Sequence, residues 1–372
     1  MEPLVLRSVY KFLIIFDKGS RMDMKTALHS LLIASTTSFA LWSPAADACT
    51  RTLWNTNHLA VLAGRSMDWA ESTQPRLMIL PRGMARDGGK LGPATVIKDN
   101  AARWTAKYGS VVTSAYGVGA VDGMNEKGLA MHLLFLTATD YGAREPGKQG
   151  VQAGLWGQYL LDNAATVAEA LEAMQRIQPV MVEYAGFKSS LHLAIEDASG
   201  DSALIQYVDG KPKIYHGREF RVLTNDPPYE QQLAELKKWD FSQATRETPL
   251  PGNVNPVDRF IRANYFLSTL REPQSQRQAV ASILSVARNT SVPFNAPYKT
   301  PGSTYDTEYR TVADLSNRQY FFELASSPNV IRVDLDQIDF SVGAPARMLN
   351  PDNVELSGSV NQQFQPLAKA PF

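Results

Sequence analysis

The chain has 372 residues, 44% of them hydrophobic and 20% charged, with 37 basic side chains, 37 acidic ones and one cysteine. That composition excludes collagenous, low-complexity and charged disordered chains, and a formal charge of zero gives no basic face for nucleic acid. A single cysteine excludes an intramolecular disulfide and a cysteine-rich zinc site.

The first 48 residues read as an address. A short apolar run, Phe12-Leu13-Ile14-Ile15-Phe16, precedes a second segment that opens on Met24-Lys25. It continues through Leu31-Leu32-Ile33-Ala34 and ends in Ser43-Pro44-Ala45-Ala46-Asp47-Ala48. A basic start, an apolar centre and small residues at Ala46 and Ala48 are the parts of a secretory signal, cut between Ala48 and Cys49. The signal proper is expected over 24–48, with residues 1–23 as an over-extended start before Met24. Both apolar runs are too short for a bilayer span. Export to the periplasm or the exterior, with no stable membrane anchor, is the expectation; a buried or anchoring helix is the alternative.

Residues 50–69 read as a hairpin around the turn-rich Asn55-Thr56-Asn57-His58. Strands are expected at 77–80, 111–118 and 128–136, the last two flanking a turn at Asp122-Gly123-Met124-Asn125. Residues 155–163 form a helix, and the capping box Thr166-Val167-Ala168-Glu169 opens a second that reaches about Ile177. Strands return at 191–195, 203–208 and 221–224. Helices follow at 229–239, 257–270 and 275–287, then strands at 309–312, 319–324 and 330–333. No repeat or linker divides this stretch, so residues 49–345 are expected to form one catalytic-sized domain. The polar tail 346–372 is expected to lie over its surface.

Cys49 admits four readings: a buried structural residue, an acylated lipoprotein cysteine, a thiol awaiting a partner chain, or an N-terminal nucleophile exposed by signal cleavage. The lipoprotein reading is weakened by Ala46 and Asp47 in place of an aliphatic residue and a small neutral one. The fourth reading has a direct chemical logic. An α-amine titrates near pH 7.7–8.0, so it can serve as base for the thiol of the same residue. The return strand of the hairpin brings Arg65 and Asp68 toward Cys49. A cation near sulfur favours the thiolate, and a carboxylate near an ammonium orients it. An exposed ion pair is the alternative for these two residues.

Cys49-Thr50-Arg51 followed by Gly64-Arg65-Ser66-Met67-Asp68-Trp69 resembles the start of the choloylglycine hydrolase family. That family includes conjugated bile acid hydrolases and penicillin V acylases, within the N-terminal nucleophile hydrolases. Similar family stretches recur in order at Asp122-Gly123-Met124-Asn125-Glu126-Lys127-Gly128-Leu129, Val222-Leu223-Thr224-Asn225-Asp226-Pro227, Val257-Asp258-Arg259-Phe260-Ile261-Arg262-Ala263 and 307–324. The resemblance implies an α+β fold, the four-layer αββα sandwich. It also implies a hydrolase of linear amides that needs no metal or cofactor. Cys49 would be nucleophile and base, Arg65 would lie beside the thiol, and Asp68 beside the amine. Asn225 would donate to the oxyanion, and Arg259 would complete the cluster.

One position departs from the family pattern. Phe135 stands where an Asn or Tyr is usual near the oxyanion, so the second donor would be a backbone N–H. Phe135, Trp69 and Tyr141 are the expected substrate-binding residues, for a small amide with an apolar acyl group. The short interval from Asn225 to Arg259 resembles the Gram-negative branch and leaves a homo-oligomer open. Other motifs carry little. Gly117-Val118-Gly119 leads into strand rather than helix, and the five histidines show no metal spacing. The rival functions are a cysteine N-terminal nucleophile dipeptidase or acyltransferase, and a non-catalytic lipid-anchored binding protein.

Overall fold

The computed structural model describes residues 49–372 except 185, 299 and 300, so the expected signal segment lies outside the described residues. The described residues open with the expected hairpin, β1 (Cys49–Trp54) and β2 (Leu62–Trp69). Its turn is closed by Asn57, whose side-chain oxygen accepts from the N–H groups of Leu59 and Ala60 at 3.0 and 2.9 Å. Then come β3 (Arg76–Leu80), β4 (Ser110–Ala115), β5 (Gly119–Asn125) and β6 (Ala130–Phe135). Residues 122–125, expected as a turn, are the end of β5. The reversals lie on either side, at Tyr116-Gly117 with φ of 53° and 66°, and at Gly128 with φ of 83°. Gly123 serves close packing instead: a Cβ there would stand 2.5 Å from the Val111 carbonyl oxygen on β4.

Helices α1 (Trp156–Asn163) and α2 (Val167–Met174) follow. Half of the capping box forms as read, with Glu169 N–H donating to Thr166 Oγ1 at 3.2 Å; the Glu169 carboxylate accepts from Ala165 N–H at 2.8 Å, one residue before the cap. α2 stops at Met174 because Ile177–Val180 leaves it to pair in parallel with Gln149–Gln152. Next are β7 (Leu191–Glu196), β8 (Ser202–Val208), β9 (Lys211–His216) and β10 (Val222–Leu223). Then α3 (Tyr229–Leu236), α4 (Pro256–Thr269) and α5 (Gln276–Asn289). Asn255 caps α4 by accepting from Asp258 N–H at 2.9 Å, and Pro256 occupies the first turn, where no N–H partner is needed. The chain ends with β11 (Thr304–Asp314), β12 (Gln319–Leu324), β13 (Ile331–Asp334), β14 (Arg347–Leu349), β15 (Gly358–Ser359) and β16 (Gln365–Pro366).

These strands make two sheets. The first has the order β10-β1-β2-β11-β12-β13-β15, with Ala296–Pro297 added against β11. The second has the order β9-β8-β7-β6-β5-β4-β3-β14-β16. Helices α4 and α5 cover the outer face of the first sheet, and α1 and α2 cover the second. Gly64 permits the close approach of α5, since a Cβ there would lie 3.1 Å from the Ile283 side chain. The inner faces meet in one core, where Ile79, Val111, Met124, Leu134 and Leu204 of the second sheet join Leu53, Tyr309 and Tyr320 of the first. This is the four-layer αββα arrangement. The tail differs from its expectation. β14 pairs with β3, β15 pairs with β13, and Leu349, Val360 and Phe364 are buried, so the last residues extend both sheets. Among the described residues, no helix is long and apolar enough to cross a membrane.

Candidate active site

The β1–β2 register sets Cys49 opposite Met67 and Arg51 opposite Arg65. Side chains alternate along a strand, so Cys49, Arg51, Arg65 and Met67 all face the second sheet, while Thr50, Ser66 and Asp68 face the helices. The Cys49 sulfur is buried, 3.5 Å from Arg65 Nη2 and 3.6 Å from Met67 Sδ. Arg65 also donates to the carbonyl oxygens of Leu133 at 2.9 Å and Val121 at 3.2 Å, and its Nη1 lies 3.4 Å from Asp122 Oδ2. Burial works against its charge, but Tyr309, the Cys49 sulfur and Asp122 together hold it protonated above its ordinary range.

The main chain of Cys49 is gripped from the other side. Arg259, fully buried on α4, donates to the Cys49 carbonyl oxygen at 2.8 Å, to Thr50 Oγ1 at 2.5 Å and to Asn225 Oδ1 at 3.1 Å. Asn225 Oδ1 also accepts from Cys49 N–H, and Asn225 Nδ2 donates to the Phe135 carbonyl oxygen at 2.8 Å. Two donors on one end and one acceptor on the other fix the orientation of this amide, and one Nδ2 hydrogen is left over. Gln232 braces the loop by donating to the Asn225 and Pro227 carbonyl oxygens, both at 2.7 Å.

Asp68 sits one step further out than expected. Its partners are Thr307 Oγ1, Ser66 Oγ at 3.1 Å and Arg259 Nη1 at 3.4 Å, so it meets Cys49 through Arg259. A register shift between β2 and β11 at Met67/Asp68 turns the carboxylate toward Thr307. Burial raises its pKa, and Arg259, Thr307 and Ser66 hold the rise back.

Phe135 contributes in two ways. Leu136 N–H donates to the Ser190 carbonyl at 2.9 Å, so Phe135, one residue earlier, turns its own N–H and C=O to the opposite edge of β6. β5 pairs only with Ala130, Met131 and His132, which leaves that edge open beside Asn225. The Phe135 ring packs edge-on to Trp69 at 5.8 Å, and Trp69 meets Phe187 at 5.3 Å. Trp69 is held by Nε1–H donating to Tyr116 OH at 2.9 Å. Together with Leu133, Tyr184 and Leu191 these rings wall a cavity that opens to solvent, with Cys49 and Arg65 in its lining. Among the described residues of that lining, Lys188 is the other charged one.

The structure thus brings Cys49, Arg65, Asp68, Asn225, Arg259, Trp69 and Phe135 together, and leaves Tyr141 out. Tyr141 is packed against Trp156 and Tyr207 in the helix-side core, its hydroxyl within 3.0 Å of the Leu191 carbonyl and 3.1 Å of that of Ser189. Its aromatic character follows from core packing. Conversely, Thr307, Asp122, His132 and Glu196 lie in or behind the cluster without having been singled out. Polar residues among apolar ones on inward strand positions were the available signal. Among the described residues, no group of three or more His, Cys, Asp or Glu is placed to hold a metal ion.

Residues 49–352 match the family model described as linear amide C–N hydrolases, choloylglycine hydrolase family. A penicillin V acylase from Pectobacterium atrosepticum is 35% identical over 378 residues, covering 94% of this chain and 97% of the relative. The solved penicillin V acylase from Agrobacterium tumefaciens superposes with a TM-score of 0.77 at 35% identity, covering 87% of this chain and 98% of that one. A mutant conjugated bile acid hydrolase from Clostridium perfringens superposes with a TM-score of 0.69 at 20% identity, covering 84% and 99%, a likeness of fold.

Proposed function

The chain belongs to the choloylglycine hydrolase family of linear amide C–N hydrolases, and we propose that it cleaves N-acyl amides with Cys49 as an N-terminal nucleophile. Export of residues 24–48 as a signal, with release of Cys49 in the periplasm or outside the cell, is part of this reading. So is the absence of a stable membrane anchor.

The Cys49 thiol gives its proton to its own α-amine, and the sulfur attacks the acyl carbonyl carbon. A C–S bond forms and the carbonyl oxygen takes the negative charge. The remaining Nδ2 hydrogen of Asn225 and the outward N–H of Phe135 are the two donors for that oxyanion. The backbone donor replaces the side chain that phenylalanine lacks. The α-ammonium then protonates the leaving nitrogen as the C–N bond breaks. Water attacks the thioester with the amine again as base, releasing the acid and the free thiol. Arg65 offsets charge on sulfur. Arg259 holds the Cys49 carbonyl and Asn225 in register, and Asp68 balances Arg259.

The single observation that carries this reading is the convergence on Cys49. One guanidinium faces its sulfur, an amide oxygen faces its nitrogen, and a second guanidinium holds its carbonyl. An apolar cavity adjoins the sulfur, and its aromatic walls favour an apolar acyl group such as those of penicillin V, a conjugated bile acid or an N-acyl homoserine lactone. Burial of the thiol between Arg65 and Met67 speaks against a lipid-anchored cysteine, whose side chain has to leave the protein. The test is a panel of penicillin V, glycine- and taurine-conjugated bile acids, N-acyl homoserine lactones and dipeptides, offered to the processed protein and to Cys49→Ala. Hydrolysis of an N-acyl amide by the native protein alone is expected. Turnover of dipeptides only, or undiminished turnover by Cys49→Ala, defeats the reading.

A further inference from the structure

Between the two sheets lies a row of charged side chains with no exposure at all. Arg51 reaches Glu196 through Nε at 3.1 Å and also through Nη2. Glu196 Oε1 is 2.5 Å from His132 Nε2, and His132 Nδ1 is 2.5 Å from Asp122 Oδ2. The same Asp122 oxygen is 3.4 Å from Arg65, whose other nitrogen is 3.5 Å from the Cys49 sulfur. The row therefore runs from β1 of the first sheet, through β7, β6 and β5 of the second, back to β2 and the nucleophile.

The geometry fixes the charge on its central member. A neutral imidazole has one N–H and one bare nitrogen, and a bare nitrogen repels a carboxylate oxygen at 2.5 Å. The carboxylates are surrounded by donors. Asp122 Oδ1 accepts from Tyr320 and from Thr311 Oγ1 at 3.1 Å, and Glu196 Oε2 accepts twice from Arg51. Both are thereby held as anions, so both His132 nitrogens must donate. Burial alone would lower the His132 pKa, but Asp122 and Glu196 raise it to about 9. Burial likewise opposes their ionisation, and His132 and Arg65 bring Asp122 down while Arg51 and His132 bring Glu196 down.

Charge counting then reaches the sulfur. With a neutral His132, Arg51 cancels Glu196 and Arg65 cancels Asp122. With an imidazolium, Asp122 is shared, and one positive charge is left at the Arg65 end. A thiolate at Cys49 completes the balance. We infer that His132 is a positioning residue, a buried imidazolium that draws Asp122 away from full pairing with Arg65 and so leaves the Arg65 charge available to the Cys49 sulfur. The inference rests on the reading of Cys49 as nucleophile. The other groups facing the sulfur and Arg65 are Tyr309 on β11 and the α-amine of Cys49 itself; Arg259 and Asp68 lie on the far side of β1.

Two measurements test it, neither of which needs a known substrate. Cys49 is the only thiol of the chain, so iodoacetamide reads it alone. A unit charge acting over about 10 Å at an effective dielectric of about 20 moves a pKa by about one unit. In processed His132→Gln the pH profile of alkylation is expected to move up by about one unit, with alkylation about tenfold slower on its rising limb. A profile that coincides with that of the native protein in a folded variant overturns the inference. Nitrogen-15 NMR of the native protein labelled at histidine covers the case of an unfolded variant. The histidine with two exchange-resistant ring N–H groups at pH 7.5 is the expected His132 signal, and a single protonated nitrogen in every buried histidine overturns the inference. Native protein whose thiol is alkylated but which cleaves no amide defeats the proposed function and leaves this inference standing.

Discussion

Replacing Arg259 by methionine keeps the length and apolar stem of the side chain and removes its charge. Arg259 is fully buried and donates to Cys49 O, Thr50 Oγ1, Asn225 Oδ1 and Val254 O, and it faces Asp68 at 3.4 Å. Removing one partner of a buried ion pair costs about 3–5 kcal/mol, because the other charge stays buried and uncompensated. The abandoned oxygens sit within that range rather than beyond it, since contacts in one network are not additive. Asp68 limits the cost by taking up a proton. Its folded pKa is already raised by burial, and loss of Arg259 removes the chief attraction holding the rise back. A carboxyl with a raised folded pKa contributes stability below its unfolded value near 3.9 and loses it as pH climbs through the folded value. The gap between native protein and Arg259→Met is therefore expected to be smallest near pH 4 and to widen toward pH 7. Urea unfolding of both proteins across that range measures it. A gap under about 1 kcal/mol at pH 7, or one of equal size at every pH, refutes the assignment of Arg259 and Asp68 as a coupled buried pair.

His132 has the opposite partner charge and a window at higher pH. Its folded value of about 9 lies above the unfolded 6.5, so its contribution is complete below pH 6.5 and is lost between pH 6.5 and 9. Native protein is expected to lose about 3 kcal/mol of unfolding free energy over that interval, a slope that His132→Gln lacks. Trp69→Ala removes the ring that faces Phe135 and Phe187. It is expected to lower kcat/KM for an aromatic-acyl amide roughly tenfold or more, and less for a short-chain one; equal losses on both would remove Trp69 from the acyl site. Tyr141→Phe is expected to leave KM within about twofold and to cost about 1–2 kcal/mol of stability, because the Ser189 and Leu191 carbonyls share its hydroxyl donor. A large change in KM with intact stability would return Tyr141 to the substrate site.

Much of the near side of the site was legible in the sequence because it is local. Cys49, Arg65 and Asp68 lie on one hairpin, and a turn of known chemistry sets their register. Asn225 and Arg259 were legible only through the family resemblance, since they come from a loop and a helix that no spacing rule ties to residue 49. Asp122-Gly123 misled for a physical reason: the pair is a turn signal in isolated strands, whereas here the glycine permits close contact with β4 and Asp122 points between the sheets. The buried row through His132 was hidden because it is assembled from five strands of two sheets, and only topology brings them together. Tyr141 was misplaced because an aromatic residue beside a loop reads the same whether it walls a pocket or fills a core. The tail was misread because short strands with few apolar residues carry little periodic signal, and the sheet edges that receive them decide their fate.

In the proposed mechanism acyl transfer passes through the sulfur of Cys49 as the first residue of the mature protein. Rapid quenching during turnover of a slowly cleaved amide, followed by mass spectrometry of the amino-terminal peptide, tests this most directly. The expected peptide begins at Cys49, carries a free α-amine and bears the acyl mass as a thioester on its only sulfhydryl. A turning-over enzyme whose amino-terminal peptide begins upstream of Cys49, or never gains the acyl mass, contradicts it.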